Sequence, residues 1–212
     1  MSNPGNLSLF ISKAMSYCWD ESHGYSQEYD GMGNPGFDCS GFVGRCLYEA
    51  GFMYPSYHVG TINMKPALQL AGFSIIPVTT VLQYPKDGDI VVMNHLDLTG
   101  GHTFIYAENV YGYTSTMSGD SDSYPDTTGT VAYAKIEAST YRSWHDYNTN
   151  ADNPNSAGAC TQVWVHAFSS LYGGYDPTDP NDEIYFARWP GGLKRLELWQ
   201  MKKIIERNRK II

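Results

Sequence analysis

The chain has 212 residues, 42% hydrophobic and 14% aromatic, which is enough apolar mass for one buried core and too much for wholesale disorder. A formal net charge of −8 lacks the basic footprint that phosphate-backbone binding needs, so nucleic acid is excluded as the main partner. No run of about 18 apolar residues occurs, so no transmembrane segment is expected, and residues 1–8 lack the basic and apolar regions of a signal peptide.

Residues 6–18 place Leu7, Phe10, Ile11, Ala14 and Cys18 on one helical face. A Gly- and Tyr-rich loop follows over 22–36. Asp38-Cys39-Ser40 opens a second helix with Phe42, Val43, Cys46, Leu47 and Ala50 inward and Gly51 as its stop. A third helix is predicted over 61–71, ending at Gly72, with Pro66 disturbing its first turns. The period then changes. Segments 74–78, 89–93, 103–107, 110–116, 131–136 and 162–168 are rich in Val, Ile, Tyr and Thr and read as strands. Polar loops at 118–129 and 144–159 interrupt them. Helices first and strands afterwards predict an α+β fold, N-terminal helices packed on a central antiparallel sheet.

The predicted organisation is a catalytic domain over 1–170, a Gly/Pro/Asp-rich linker over 171–192 and a basic amphipathic helical tail over 193–212. The tail holds seven Lys/Arg against Glu197 and Glu206, a net +5, which leaves −13 on residues 1–192. Such a tail offers a surface for virion contact or self-association.

Cys18, Cys39, Cys46 and Cys160 form neither a C-x-x-C pair nor a zinc spacing, so any that matters does so as a thiol. Cys18 and Cys46 fall on apolar helix faces and read as packing. Cys39 stands where a loop becomes a helix, beside unpaired N–H groups and the positive end of the macrodipole. That position favours a thiolate and offers donors to an oxyanion. Ser40 and Gly41 keep bulk away from it. A thiol nucleophile needs a base, and His102 leads into a strand on which it shares one face with Phe104 and Tyr106.

The runs Phe37-Asp38-Cys39-Ser40-Gly41-Phe42-Val43, Pro85-Lys86-Asp87-Gly88-Asp89-Ile90-Val91 and Gly101-His102-Thr103-Phe104-Ile105-Tyr106 resemble the NlpC/P60 papain-like family of cell-wall cysteine peptidases, and most of all its phage peptidoglycan amidase branch. The resemblance covers roughly residues 6–170. It implies a papain-like NlpC/P60 fold, thiol attack on an amide of the peptidoglycan stem, an acyl-enzyme and its hydrolysis. Cys39 would be the nucleophile and His102 the base, then the acid. Tyr25 matches the family's loop tyrosine, and with Asp38, Ser40 and Gly101 of the two boxes it is expected to line the substrate groove. Where the family orients its histidine with a third polar residue on the next strand, this chain has Thr114; Ser115 and Asp120 are the alternatives.

The remaining polar residues have plainer readings. His95 reads as a surface-loop histidine, and His23 as a histidine of the Gly/Tyr loop with substrate contact as the alternative; His58, His145 and His166 belong to no motif. The acidic stretches 120–126 and 176–183 lack the EF-hand spacing and read as solvated loops, and no Gly pair has phosphate-loop spacing. No metal or other cofactor is expected. The expectation is a peptidoglycan hydrolase, reaching the wall as a holin-released phage lysin or as part of a virion tail. The alternative is a weakly active or non-catalytic wall-binding virion component, because Thr114 supports an imidazolium less than a carboxylate would.

Overall fold

A computed structural model describes residues 5–19, 24–25, 27, 31–33, 36–80, 82–108, 133–138, 161–164, 172 and 174–190. Among these lie helices α1 (Leu7–Trp19), α2 (Cys39–Glu49) and α3 (Thr61–Leu70). The strands are β1 (Gly24–Tyr25), β2 (Gly36–Phe37), β3 (Ser74–Pro77), β4 (Ile90–His95), β5 (Gly101–Glu108), β6 (Tyr133–Ala138), β7 (Thr161–Trp164) and β8 (Asp182–Arg188). Strands β3 to β8 form one sheet in the order β3-β8-β4-β5-β6-β7, with every neighbouring pair antiparallel. The fold is α+β.

The helices form where apolar spacing and caps agree. Asp38 caps α2 by accepting the Gly41 N–H at 2.6 Å. At the other end Gly51, at φ +80°, lets Phe52 N–H reach the Leu47 carbonyl and its own N–H reach Tyr48, the double bond that closes a helix. Helix α3 stops the same way, with Phe73 N–H on the Leu68 carbonyl. It begins at Thr61 and runs on through Pro66.

Phe10, Ile11 and Ala14 of α1, Phe42, Val43, Cys46 and Leu47 of α2, and Met64 and Leu68 of α3 are buried with Ile90, Val92, Ile105, Ile136, Tyr185 and Ala187 of the sheet. On the other face Val91, Met93, Phe104, Tyr106, Ile184 and Phe186 gather with Val78 and Tyr172. Strand β4 is therefore covered on both sides, which is why Ile90-Val91-Val92-Met93 is apolar without alternation.

The segment 171–192 is not a linker. It holds β8, which pairs with β3 on one side and β4 on the other. A charge pair anchors it there. Arg188 donates from Nε to Asp89 Oδ1 at 2.9 Å and from Nη2 to Oδ2 at 2.6 Å, and Lys86 N–H adds a third donor to the buried carboxylate. The expected strand over 110–116, both long loops and the 193–212 tail lie outside the described residues. No helix among the described residues is long and apolar enough to cross a membrane.

Candidate active site

The site begins in the short parallel pair β1–β2, whose register sets Tyr25 beside Phe37. Two residues after Phe37 the chain enters α2 at Cys39. The Asp38 N–H donates to the Gly31 carbonyl, and the Phe42 N–H returns to the Asp38 carbonyl, so the backbone around the nucleophile is held from both sides. Gly41 admits this loop: a Cβ there would stand 1.9 Å from the Gly31 oxygen. Its small size thus serves a backbone approach rather than a substrate approach.

Helix α2 packs across β5 and β6. That brings Cys39 to the start of β5, its Sγ 4.0 Å from the Gly101 carbonyl, with His102 next along the strand. Alternation puts His102 on the face of Phe104 and Tyr106. One step beyond the Ile105–Ile136 pair, Glu137 of β6 falls beside Phe104 on that same face. The result is a close contact: His102 Nε2 lies 2.5 Å from Glu137 Oε2.

Burial by itself would depress the His102 imidazole, but the Glu137 carboxylate and the neighbouring Cys39 sulfur outweigh it and raise the pKa from 6.5 to about 10. Nε2 is thus committed to Glu137. The Glu137 side chain is 6% exposed and that of His102 26%, so the ring is the open part of the pair. Cys39 is itself 7% exposed, a recessed thiol.

Tyr25 belongs to the same group. Burial first, then the charges of Cys39, Asp38 and Glu137, hold its phenol above the ordinary tyrosine range, so it remains a proton donor. Gln27 Nε2 donates to its oxygen at 3.2 Å. No protein-family model and no curated protein matches this chain.

Of the expected site residues, Cys39, His102, Tyr25 and Gly101 come together. Thr114 lies outside the described residues, as do Ser115, Asp120, His23, His145, His166 and Cys160. The carboxylate on His102 is Glu137, which sequence reasoning missed; its signal was a lone acid between buried Ile136 and Ala138 in a strand.

Asp38 and Ser40 are corrected in role. Ser40 is 3% exposed and its hydroxyl donates to Asp38 Oδ1 at 3.0 Å, while Asp38 also caps α2, so their polar atoms serve the protein rather than a groove. The third partner of that pair is His58, which no motif had singled out: its Nε2 is 2.7 Å from Asp38 Oδ2 and 3.0 Å from Ser40 Oγ. His95 is likewise engaged, its Nδ1 2.5 Å from Asp182 Oδ1 and its ring stacked on Tyr175 at 4.3 Å. Cys46 is fully buried packing, as expected. Among the described residues no cluster of three or more His, Cys, Asp or Glu is arranged to hold a metal.

Proposed function

We propose that this protein is a cysteine-type hydrolase that cleaves an amide bond in or at the peptidoglycan stem peptide. One observation above the rest supports a thiol mechanism: Cys39 stands at the first residue of α2 with its Sγ 4.0 Å from the Gly101 carbonyl, next along the strand from an imidazole whose Nε2 is taken by Glu137. The cell-wall substrate rests on the likeness of the Asp-Cys-Ser and Gly-His-Thr boxes to the NlpC/P60 family, as do a papain-like fold and a phage lysin or virion origin.

The imidazole already carries its proton at neutral pH, and the Cys39 sulfur beside that cation attacks the amide carbon. Charge builds on the former carbonyl oxygen. The Cys39 N–H, at the first turn of α2 with no intrahelical acceptor, and the protonated Tyr25 hydroxyl are the donors at hand for that oxygen. His102 then gives its proton to the departing amine, and the thioester is released by water that the same imidazole deprotonates. Glu137 keeps the ring oriented and its cation stabilised throughout. The recessed thiol favours a slim, extended amide over a globular substrate.

A wall-binding protein with a vestigial dyad was motivated by the hydroxyl at Thr114. A carboxylate 2.5 Å from His102 removes that motive. The test is clearing of purified cell walls and release of new amino groups by the parent and by Cys39→Ala. The parent should do both and Cys39→Ala neither. Equal clearing by the two proteins would reject the thiol mechanism, binding without release by the parent would reject the enzyme, and muropeptide masses after digestion identify the bond.

A further inference from the structure

Beside the nucleophile lies a second polar cluster that the mechanism does not use. His58 stands in the connection between α2 and α3, its side chain about one-third exposed, and its Nε2 meets both Asp38 Oδ2 at 2.7 Å and Ser40 Oγ at 3.0 Å. Asp38 Oδ1 takes the remaining donors, the Gly41 N–H at 2.6 Å and the Ser40 hydroxyl at 3.0 Å.

The atoms decide what this cluster is. Ser40, His58 and Asp38 are the three types of a serine nucleophile triad, but Asp38 and Ser40 share one ring nitrogen, and the Ser40 proton is spent on the carboxylate. Ser40 is also buried. No serine chemistry follows. What the cluster does is tie down the residues on either side of Cys39.

We propose that His58 is a positioning residue for the nucleophile: its Nε2–H fixes the Asp38 carboxylate and the Ser40 side chain, and through them the first turn of α2 that sets Sγ against the Gly101 carbonyl, one residue before His102. The inference rests on the thiol mechanism proposed above. A second contact set reinforces it. Three residues on, the Thr61 carbonyl accepts from Asn94 Nδ2 at 3.4 Å, and Thr61 Oγ1 stands 2.1 Å from where a Gly101 Cβ would be. Residues 58–61 therefore touch the cap of the helix bearing the nucleophile and the strand end bearing its base. One short segment holds both halves of the dyad in register.

Without the donor at residue 58, the Asp38 side chain keeps its cap bond but is freed on one oxygen, and the first turn of α2 samples several orientations. Reactions at Cys39 lose rate because fewer molecules hold the near-attack geometry. Binding of the parts of the substrate away from Cys39 does not depend on this.

The full chain is tested in two ways. Alkylation of Cys39 by iodoacetamide at neutral pH is followed by peptide mass spectrometry, so that the other cysteines do not interfere, and kcat and KM are measured on cell walls. His58→Leu keeps side-chain bulk without a donor, whereas His58→Gln sets an amide N–H close to the place of the imidazole Nε2–H. The expected result for His58→Leu is a loss of about tenfold in both alkylation rate and kcat, with KM within about twofold of the parent. His58→Gln should return to within about threefold of the parent.

Parent-like alkylation of His58→Leu overturns the proposal, and so does an equal loss in both variants. If His58→Leu does not fold, His58→Asn replaces it, its shorter side chain leaving the donor out of reach; slow Asn and fast Gln support the role, and equal rates overturn it. Should the parent release nothing from cell walls while the alkylation pattern holds, the peptidoglycan reading falls and the role of His58 stands.

Discussion

Glu137 is the residue on which the chemistry of His102 turns. It raises the imidazole to about 10, so the pair His102–Glu137 stays charged well above neutrality. A histidine raised above its unfolded 6.5 adds stability that is complete below 6.5 and is lost as the pH climbs through about 10. Glu137→Gln removes the larger of the two influences that raise the ring and leaves the Cys39 sulfur alone against burial, which acts in the opposite direction. The alkaline limb of kcat/KM should then move toward neutral pH, with a loss of roughly 10–100-fold at pH 9 relative to the parent. A pH–rate profile with unmoved limbs would show that the carboxylate does not act through the ring. Cys39 and His102 were legible in the sequence because each belongs to a local run whose neighbours carry the same meaning. Glu137 and His58 were not. The first meets its partner only through the β5–β6 register, and the second through the course of a loop, and neither relation leaves a mark in the spacing of residues.

At the level of elements, the helices were the most legible. The apolar spacing of α1 and α2 and the glycines that end α2 and α3 reappear in the structure within a residue or two. Strand β8 was hidden for a physical reason. Ile184-Tyr185-Phe186-Ala187 is buried on both faces, so it lacks the alternation that announces a strand, and it follows a run of turn residues that reads as a break. Its outer end is fixed by Arg188 on Asp89. Arg188→Leu would strand a buried carboxylate whose other donor among the described residues is the Lys86 N–H, and should cost about 3–5 kcal/mol in urea unfolding. The paired change Asp89→Leu with Arg188→Leu should recover part of that loss. If Arg188→Leu unfolds at the parent's midpoint, the bidentate pair is not what anchors β8.

For the molecule as a whole, the boundary expected at residue 170 is the correction with most consequence. A chain ending there loses β8, leaves the inner edges of β3 and β4 unpaired and opens both apolar layers. It should show no cooperative thermal transition by circular dichroism, whereas a chain ending at residue 192 should keep one. A native-like transition in the shorter form would mean that β8 is dispensable.

The place of β8 also bears on the route by which the chain folds. Strands β4 and β5 meet across a short loop, but Ser74 pairs with Arg188, so among the described residues β3 joins the sheet through a strand far downstream. Closing so long a loop is entropically slow and comes after the local hairpin has formed. Phe186→Leu, which trims a buried ring without adding polarity, should therefore leave the refolding arm of a chevron almost unmoved and raise the unfolding arm. The native lifetime of the protein is thus written into the last strand to dock, a clasp that secures the first strand of the sheet.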